Sequence, residues 1–201
     1  MTTTLAKMIR MLSSVGAPVS RLRPAAAPDA VEALEHRIGS QLPAALRDCY
    51  LLHDGEALDQ EGPMLGLFCD YEFLSLQEVV KTLDHWTELR TYWAQPGMDD
   101  PLNYSSHPAN TVKTVLSRPG WIPFAGHYSG NHLAIDFDPA SAGVAGQVIN
   151  FGRDDEHHFQ VSKTFGEFLE LVLEHYQRGE WNQHLGRGDW SLYDELRRSF
   201  E

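Results

Sequence analysis

Asp136 and Asp138 stand two residues apart in a stretch whose apolar side chains alternate, Leu133, Ile135 and Phe137. A period of two predicts a strand with one face buried, and it puts both carboxylates on the other face with His132 and Ala134, about 7 Å apart. Paired carboxylates in that range serve glycoside hydrolysis or hold a metal. A working pair also needs a cleft and an acid of raised pKa, and no other spacing in the chain supplies them. The plainer account is structural: Asp138, ahead of Pro139, accepts backbone N–H groups in the turn through 141, and Asp136 bonds toward Gly130-Asn131 or faces water. His127, His132, His157 and His158 are the candidate metal ligands. Zinc wants three or four ligands in fixed geometry, and adjacent His157 and His158 point to opposite faces of a strand. Ser129 is followed directly by Gly130 and has no glycine two residues before or after it, so it is not a nucleophile elbow. No phosphate loop is present, and Cys49 and Cys69 sit in apolar surroundings as buried free thiols. We therefore assign no catalytic residue, no metal and no cofactor.

The elements that position these residues follow from pattern and caps. Trp121-Ile122-Pro123-Phe124, the turn Tyr128-Ser129-Gly130-Asn131 and the strand ending at Pro139 form a central hairpin. Upstream, Leu5, Met8, Ile9 and Leu12 line a helix capped by Thr4, and a Pro/Ala-rich arm follows. Asp29 with Glu32 reads as a capping box ending at Gly39. A further helix starts at Leu42-Pro43 and closes at Gly55 in a left-handed cap. Met64–Cys69 and Tyr71–Leu74 read as short strands. Ser75 with Glu78 caps a long helix carrying Val79, Leu83 and Trp86. Residues 95–110 form a loop, and 112–116 fit a strand or a helical turn equally. Strands follow at 146–151 and, as an edge, at 158–161. Thr164 with Glu167 caps a helix whose core face is Phe165, Phe168, Leu169, Val172 and Tyr176. The tail repeats Arg178-Gly179-Glu180-Trp181 as Arg187-Gly188-Asp189-Trp190, which reads as two turns with docking tryptophans, ahead of a last helix over 191–200 with Leu192 and Leu196 inward. Strands and helices do not alternate strictly, so the expected fold is α+β, a mixed, mostly antiparallel sheet flanked by helices. The expected divisions are an N-terminal helix and linker, 1–28, a main domain, 29–176, and an extension packed on it, 177–201.

The chain of 201 residues carries a formal net charge of −12 with 42% hydrophobic residues. It is long enough for one well-cored domain. Its acidity disfavours nucleic acid, and Arg10, Arg21, Arg23 and Arg37 are dispersed. No run reaches the length of a membrane span, and the N-terminus lacks the order of a secretory signal, so the expectation is a cytoplasmic protein without membrane insertion. Acids at Asp99, Asp100, Asp154, Asp155 and Glu156, with the loop aromatics Trp93 and Tyr104, are the candidate partner-binding residues. Aromatic anchors ringed by charge are what protein interfaces favour.

An ordered set of short motifs resembles the SMI1/KNR4 family, also called the SUKH superfamily. It runs through Ile38-Gly39, Leu42-Pro43, Asp54-Gly55, Gly66-Leu67-Phe68, Phe73-Leu74-Ser75-Leu76, Trp121-Ile122-Pro123-Phe124, Gly130-Asn131, Asp136-Phe137-Asp138-Pro139, Gly143 and Gly146-Gln147-Val148-Ile149 to the helix at Phe165. It covers about residues 30–175. The resemblance implies an α+β domain that binds other proteins and is not an enzyme. Gly39, Leu42, Pro43, Gly55, Trp121, Pro123, Gly130, Asn131, Asp136, Asp138, Pro139 and Gly146 would then be structural. Bacterial relatives are mostly immunity proteins, and fungal relatives coordinate cell-wall synthesis through protein partners. The expected function is accordingly an immunity protein neutralising a cognate bacterial toxin, or a regulatory partner. The alternatives are a scaffold in cell-wall or envelope regulation and a metal-dependent hydrolase using Asp136, Asp138 and nearby histidines. The segments 1–28, 95–110 and 176–201 depart from the shortest family form, and partner specificity would sit in such segments.

Overall fold

The structure is a computed structural model that describes residues 2–58, 61–97, 103–185 and 192–198. Its helices are α1 (Thr2–Ser14), α2 (Pro28–Ile38), α3 (Ala44–Tyr50), α4 (Leu76–Trp93), α5 (Phe165–Gln177) and α6 (Leu192–Arg198). Its strands are β1 (Glu72–Phe73), β2 (Ser105–His107), β3 (Trp121–Gly126), β4 (Asn131–Asp136), β5 (Gln147–Gly152) and β6 (His157–Ser162). The strands form one sheet in the order β1-β3-β4-β5-β6-β2. Neighbours are antiparallel except β2, which runs parallel to β6. The fold is thus α+β with a mixed, mostly antiparallel sheet.

Both faces of the central hairpin are buried, not one. Leu133 and Ile135 of β4 join the main core with Phe124, Val148, Phe165, Phe168 and Leu169. Ala134 on the opposite face joins a second core with Trp86, Val112, Trp121, Ile149 and Phe151. Alternation in β4 reads as one-sided only because its second face is closed by the small Ala134 and by the buried carboxylate of Asp136. β6 is not an edge strand, since β2 is added beyond it.

The helix caps are local and follow the sequence. Ser75 Oγ accepts from Glu78 N–H at 3.2 Å and Thr164 Oγ1 from Glu167 N–H at 3.1 Å. Gly39 ends α2 with φ 69°. Two expected caps are displaced. α1 starts before Thr4, so the Thr4 hydroxyl is inside the helix and donates to Glu170 Oε1 of α5 at 2.7 Å. α2 starts at Pro28, whose missing N–H costs nothing at a helix start; Asp29 lies in the first turn and Glu32 reaches Arg47. Leu5, Met8 and Leu12 of α1 are enclosed in the same core as α5.

Gly55 is not the cap of α3, which ends at Tyr50 with Leu51 as its C-cap. It has φ 72°, and a Cβ there would lie 2.3 Å from Ser75 N, so the backbone passes directly over the start of α4. Met64–Cys69 is not a strand either. The Glu56 carboxylate accepts N–H groups of Gly66, Leu67 and Phe73, and the Tyr176 hydroxyl and Asn182 amide donate to the carbonyls of Leu65, Gly66 and Leu67. Side chains thus satisfy groups that a neighbouring strand would otherwise pair.

Candidate functional site

The paired carboxylates lie at the corner between β4 and β5. Asp136 is 0% exposed and accepts from Asp138 N–H and from Gln147 Nε2, both at 2.8 Å. Gln147 also donates to Thr111 O at 2.9 Å and accepts from Gln160 Nε2 at 2.6 Å. Burial pushes the Asp136 carboxyl up to about 6. Asp138 does not take the backbone N–H groups of the following turn; it is ion-paired with Lys113 and with Arg118 Nε, and Lys113 chiefly holds its carboxyl below the usual range. Gly146 N–H closes the corner on Asp136 O at 2.7 Å, and Pro139 packs where a Cβ on Gly143 would sit. An enclosed carboxylate with its oxygens spent on fixed donors has no route to a substrate. The pair joins β4, β5 and the 108–118 segment.

The four histidines go to four places. His127 shares a hydrogen bond with Ser129 Oγ at 2.8 Å. His132 lies between Trp86 and Phe151. His157 Nδ1 is 2.6 Å from Ser105 Oγ, and His158 Nε2 is 2.9 Å from Val115 O. Among the described residues no group of three or more His, Cys, Asp or Glu is arranged to hold a metal. Cys49 and Cys69 are free and buried, and burial pushes the Cys49 thiol up to about 12.

What the fold does assemble is a pocket of about 570 Å³, lined by His85, Trp86, Leu89 and Trp93 of α4, Leu116, Tyr128–Gly130, His132, Arg153 and Asp154. That volume is in the range of ligand sites, about 300–1,000 Å³. Residues at i, i+4 and i+8 of α4 face one way, which aligns His85, Leu89 and Trp93. The opposite wall is the β3–β4 turn, where Gly130 takes φ 91° and Tyr128 is left 90% exposed. The rim is the β5–β6 turn, anchored by Asn131, whose Oδ1 accepts Asp154 N–H at 3.2 Å. A Cβ on Gly152 would meet that same oxygen at 2.4 Å, so the two turns are pressed together. The floor is apolar, and burial pushes the His132 imidazole down to about 4, with His85 acting in the same direction.

Of the predicted partner-binding residues, Trp93 and Asp154 meet at this pocket. Tyr104 does not; it stacks on His158 with centroids 5.2 Å apart. Glu156 is exposed on the β5–β6 turn. Asp155 is only 3% exposed, and burial pushes its carboxyl up to about 6, so it faces the interior and not a partner. Asp99 and Asp100 lie outside the described residues, as does Trp190. Sequence reasoning missed His85, Leu89, Tyr128 and Arg153. The available signal was Tyr128, a large aromatic in a tight turn with no apolar neighbour to bury it.

The family model for the SMI1 / KNR4 family (SUKH-1) matches residues 25–171. The chain belongs to that family. It is 31% identical over 157 residues to a cell wall biosynthesis/cell cycle regulator, smi1, of Schizosaccharomyces pombe, covering 75% of this chain and 31% of that protein. It is 27% identical to a glucan synthesis regulatory protein of Neurospora crassa, over 74% of this chain and 33% of that one. It is also 27% identical to the cell wall assembly regulator SMI1 of Saccharomyces cerevisiae, over 73% of this chain and 34% of that one. The chain thus spans about a third of the length of these curated relatives. The SMI1/KNR4 motif positions Trp121, Pro123, Asp136 and Gly146 lie in the sheet or at its corner. Gly39, Leu42, Pro43 and Gly55 lie about the ends of α2 and α3, and Gly130 and Asn131 frame the pocket.

Proposed function

We propose that this SMI1/KNR4 domain is a non-catalytic, protein-binding regulatory module that docks partners over the α4 pocket. The observation that carries this reading is the pocket's aromatic wall, with Trp93 half-buried and Tyr128 held out to solvent beside an apolar floor. Aromatic anchors around a concave apolar floor are how interface hot spots are built. The relatives are named as cell-wall and glucan-synthesis regulators, which supports the regulatory alternative over the expected role as immunity protein to a bacterial toxin. The hydrolase alternative draws less support, since Asp136 is buried. No helix among the described residues is long and apolar enough to cross a membrane.

A photoreactive benzoylphenylalanine at position 128, compared with one at Leu51 outside the pocket, tests the reading in the protein's native cells. The expected result is a protein adduct of one discrete mass from position 128 and none from 51. Equal adducts at both positions, or none at either, would overturn it.

A further inference from the structure

The rim of the pocket carries a charge that the described residues leave largely unpaired. Arg153 has a side chain 82% exposed, and its only ion-pair approach among the described residues is Asp154 Oδ1 at 4.0 Å. That distance is beyond a hydrogen bond, and exposed pairs of this kind are worth about 0–1 kcal/mol. The stem of Arg153 runs beside Gly130, since a Cβ built there would lie 3.6 Å from Arg153 Cβ and 4.0 Å from its Cδ. The aliphatic part therefore lies along the pocket wall and leaves the guanidinium at the mouth. In a chain of net charge −12 this is a local cation above an apolar, aromatic floor. The floor's imidazole, His132, is neutral at pH 7, because burial holds it down to about 4.

We infer that the pocket receives an apolar or aromatic side chain of a partner polypeptide whose sequence neighbour is a carboxylate, and that this carboxylate pairs with Arg153. The inference rests on the protein-binding reading and adds the chemistry of the segment bound. The ring seats on Trp86, Leu89, Leu116 and His132, walled by Trp93 and Tyr128. The guanidinium fork matches a carboxylate with two parallel N–H···O bonds, a geometry that Asp154 at 4.0 Å does not use. Salt at physiological strength screens the net negative field beyond about 8 Å, so an incoming carboxylate meets Arg153 and, within that range, Asp154, whose repulsion holds the gain to the size of a rim ion pair.

The test is a two-dimensional amide and indole NMR titration of the full chain with three probes: acetyl-Glu-Phe-Glu-amide, acetyl-Lys-Phe-Lys-amide and acetyl-Glu-Ala-Glu-amide. The acidic phenylalanine peptide should shift the Gly130 amide and the Trp93 indole in a saturable way. It should bind about two- to fivefold tighter than the basic one, the size of a rim ion pair, with the alanine peptide weakest. Arg153→Glu should reverse the order of the two phenylalanine peptides, and Tyr128→Ala should weaken both while leaving the spectrum otherwise folded. Equal response to all three peptides, an order unchanged by Arg153→Glu, or shifts away from the pocket would each overturn the inference. A cross-linked partner bound equally well by wild type, Arg153→Glu and Tyr128→Ala would sink the pocket chemistry and leave the protein-binding reading standing. Absence of any adduct at position 128 would sink the reading itself.

Discussion

At the scale of single residues, the buried carboxylates set how stability depends on pH. Glu56 is enclosed, and burial pushes it up to about 7, outweighing the three backbone N–H groups that favour its charged form. Its folded pKa lies above the unfolded one, so between about pH 4.5 and 7 the native state holds a proton that the unfolded chain has released. The stability from this group is complete below the unfolded pKa and is lost as pH rises through the folded value. The loss is about 3 kcal/mol at one pKa unit per 1.36 kcal/mol. About 2 kcal/mol of that loss falls between pH 5.5 and 8, where urea midpoints should show it, and Glu56→Gln should flatten that slope. Asp136 and Asp155 shift the same way, so some slope remains in the variant. His132 opposes them below pH 6.5, because its folded pKa is depressed. If Glu56→Gln keeps the full slope, the proton sits elsewhere.

At the scale of elements, α1 is where packing can be tested most directly. Met8 is fully enclosed among core side chains, and a Met-to-Ala truncation at such a site costs about 2–5 kcal/mol. Met8→Ala should lower the denaturation midpoint accordingly, and a change under about 0.5 kcal/mol would mean the helix is dispensable to the core. The elements legible in the sequence were those whose signals are local. Ser75, Thr164 and Gly39 act within four residues of themselves, and the core stripe of α5 repeats with the helical period. What stayed illegible depends on distant groups. Met64–Cys69 has strand-like composition, yet its polar backbone is satisfied by Glu56, Tyr176 and Asn182. β2 has no apolar pattern at all, and it meets β6 through Ser105 on His157 and His107 stacked on Phe159, contacts that only the assembled sheet brings together. The pocket was half legible, through Trp93 and Asp154, because its walls come from separate stretches of chain whose approach is fixed by Gly130, Asn131 and Gly152.

At the scale of the whole molecule, the C-terminal part is tied to the first half by polar groups as well as by core packing. Asn182 is buried and donates to Leu65 O at 3.1 Å and Gly66 O at 2.9 Å. Beside it Trp181 is buried and stacks on His175, with ring centroids 3.4 Å apart. Asn182→Ala leaves buried carbonyls short of donors, which costs about 1–3 kcal/mol. Amide hydrogen exchange should then quicken at residues 64–69 before it changes in β3–β5. Uniform exchange across the chain would show that the segment has no stability of its own to lose.

Leu65 and Asn182 are 117 residues apart. At elongation rates of about 5–20 residues per second, the ribosome delivers the second about 6–23 s after the first. During that interval the carbonyls of residues 65–67 have no protein donor, although the hairpin partners β3 and β4 are already made. The nascent chain therefore carries an unfinished strap across its core until Asn182 has been made, and that interval is the window in which a chaperone would find it.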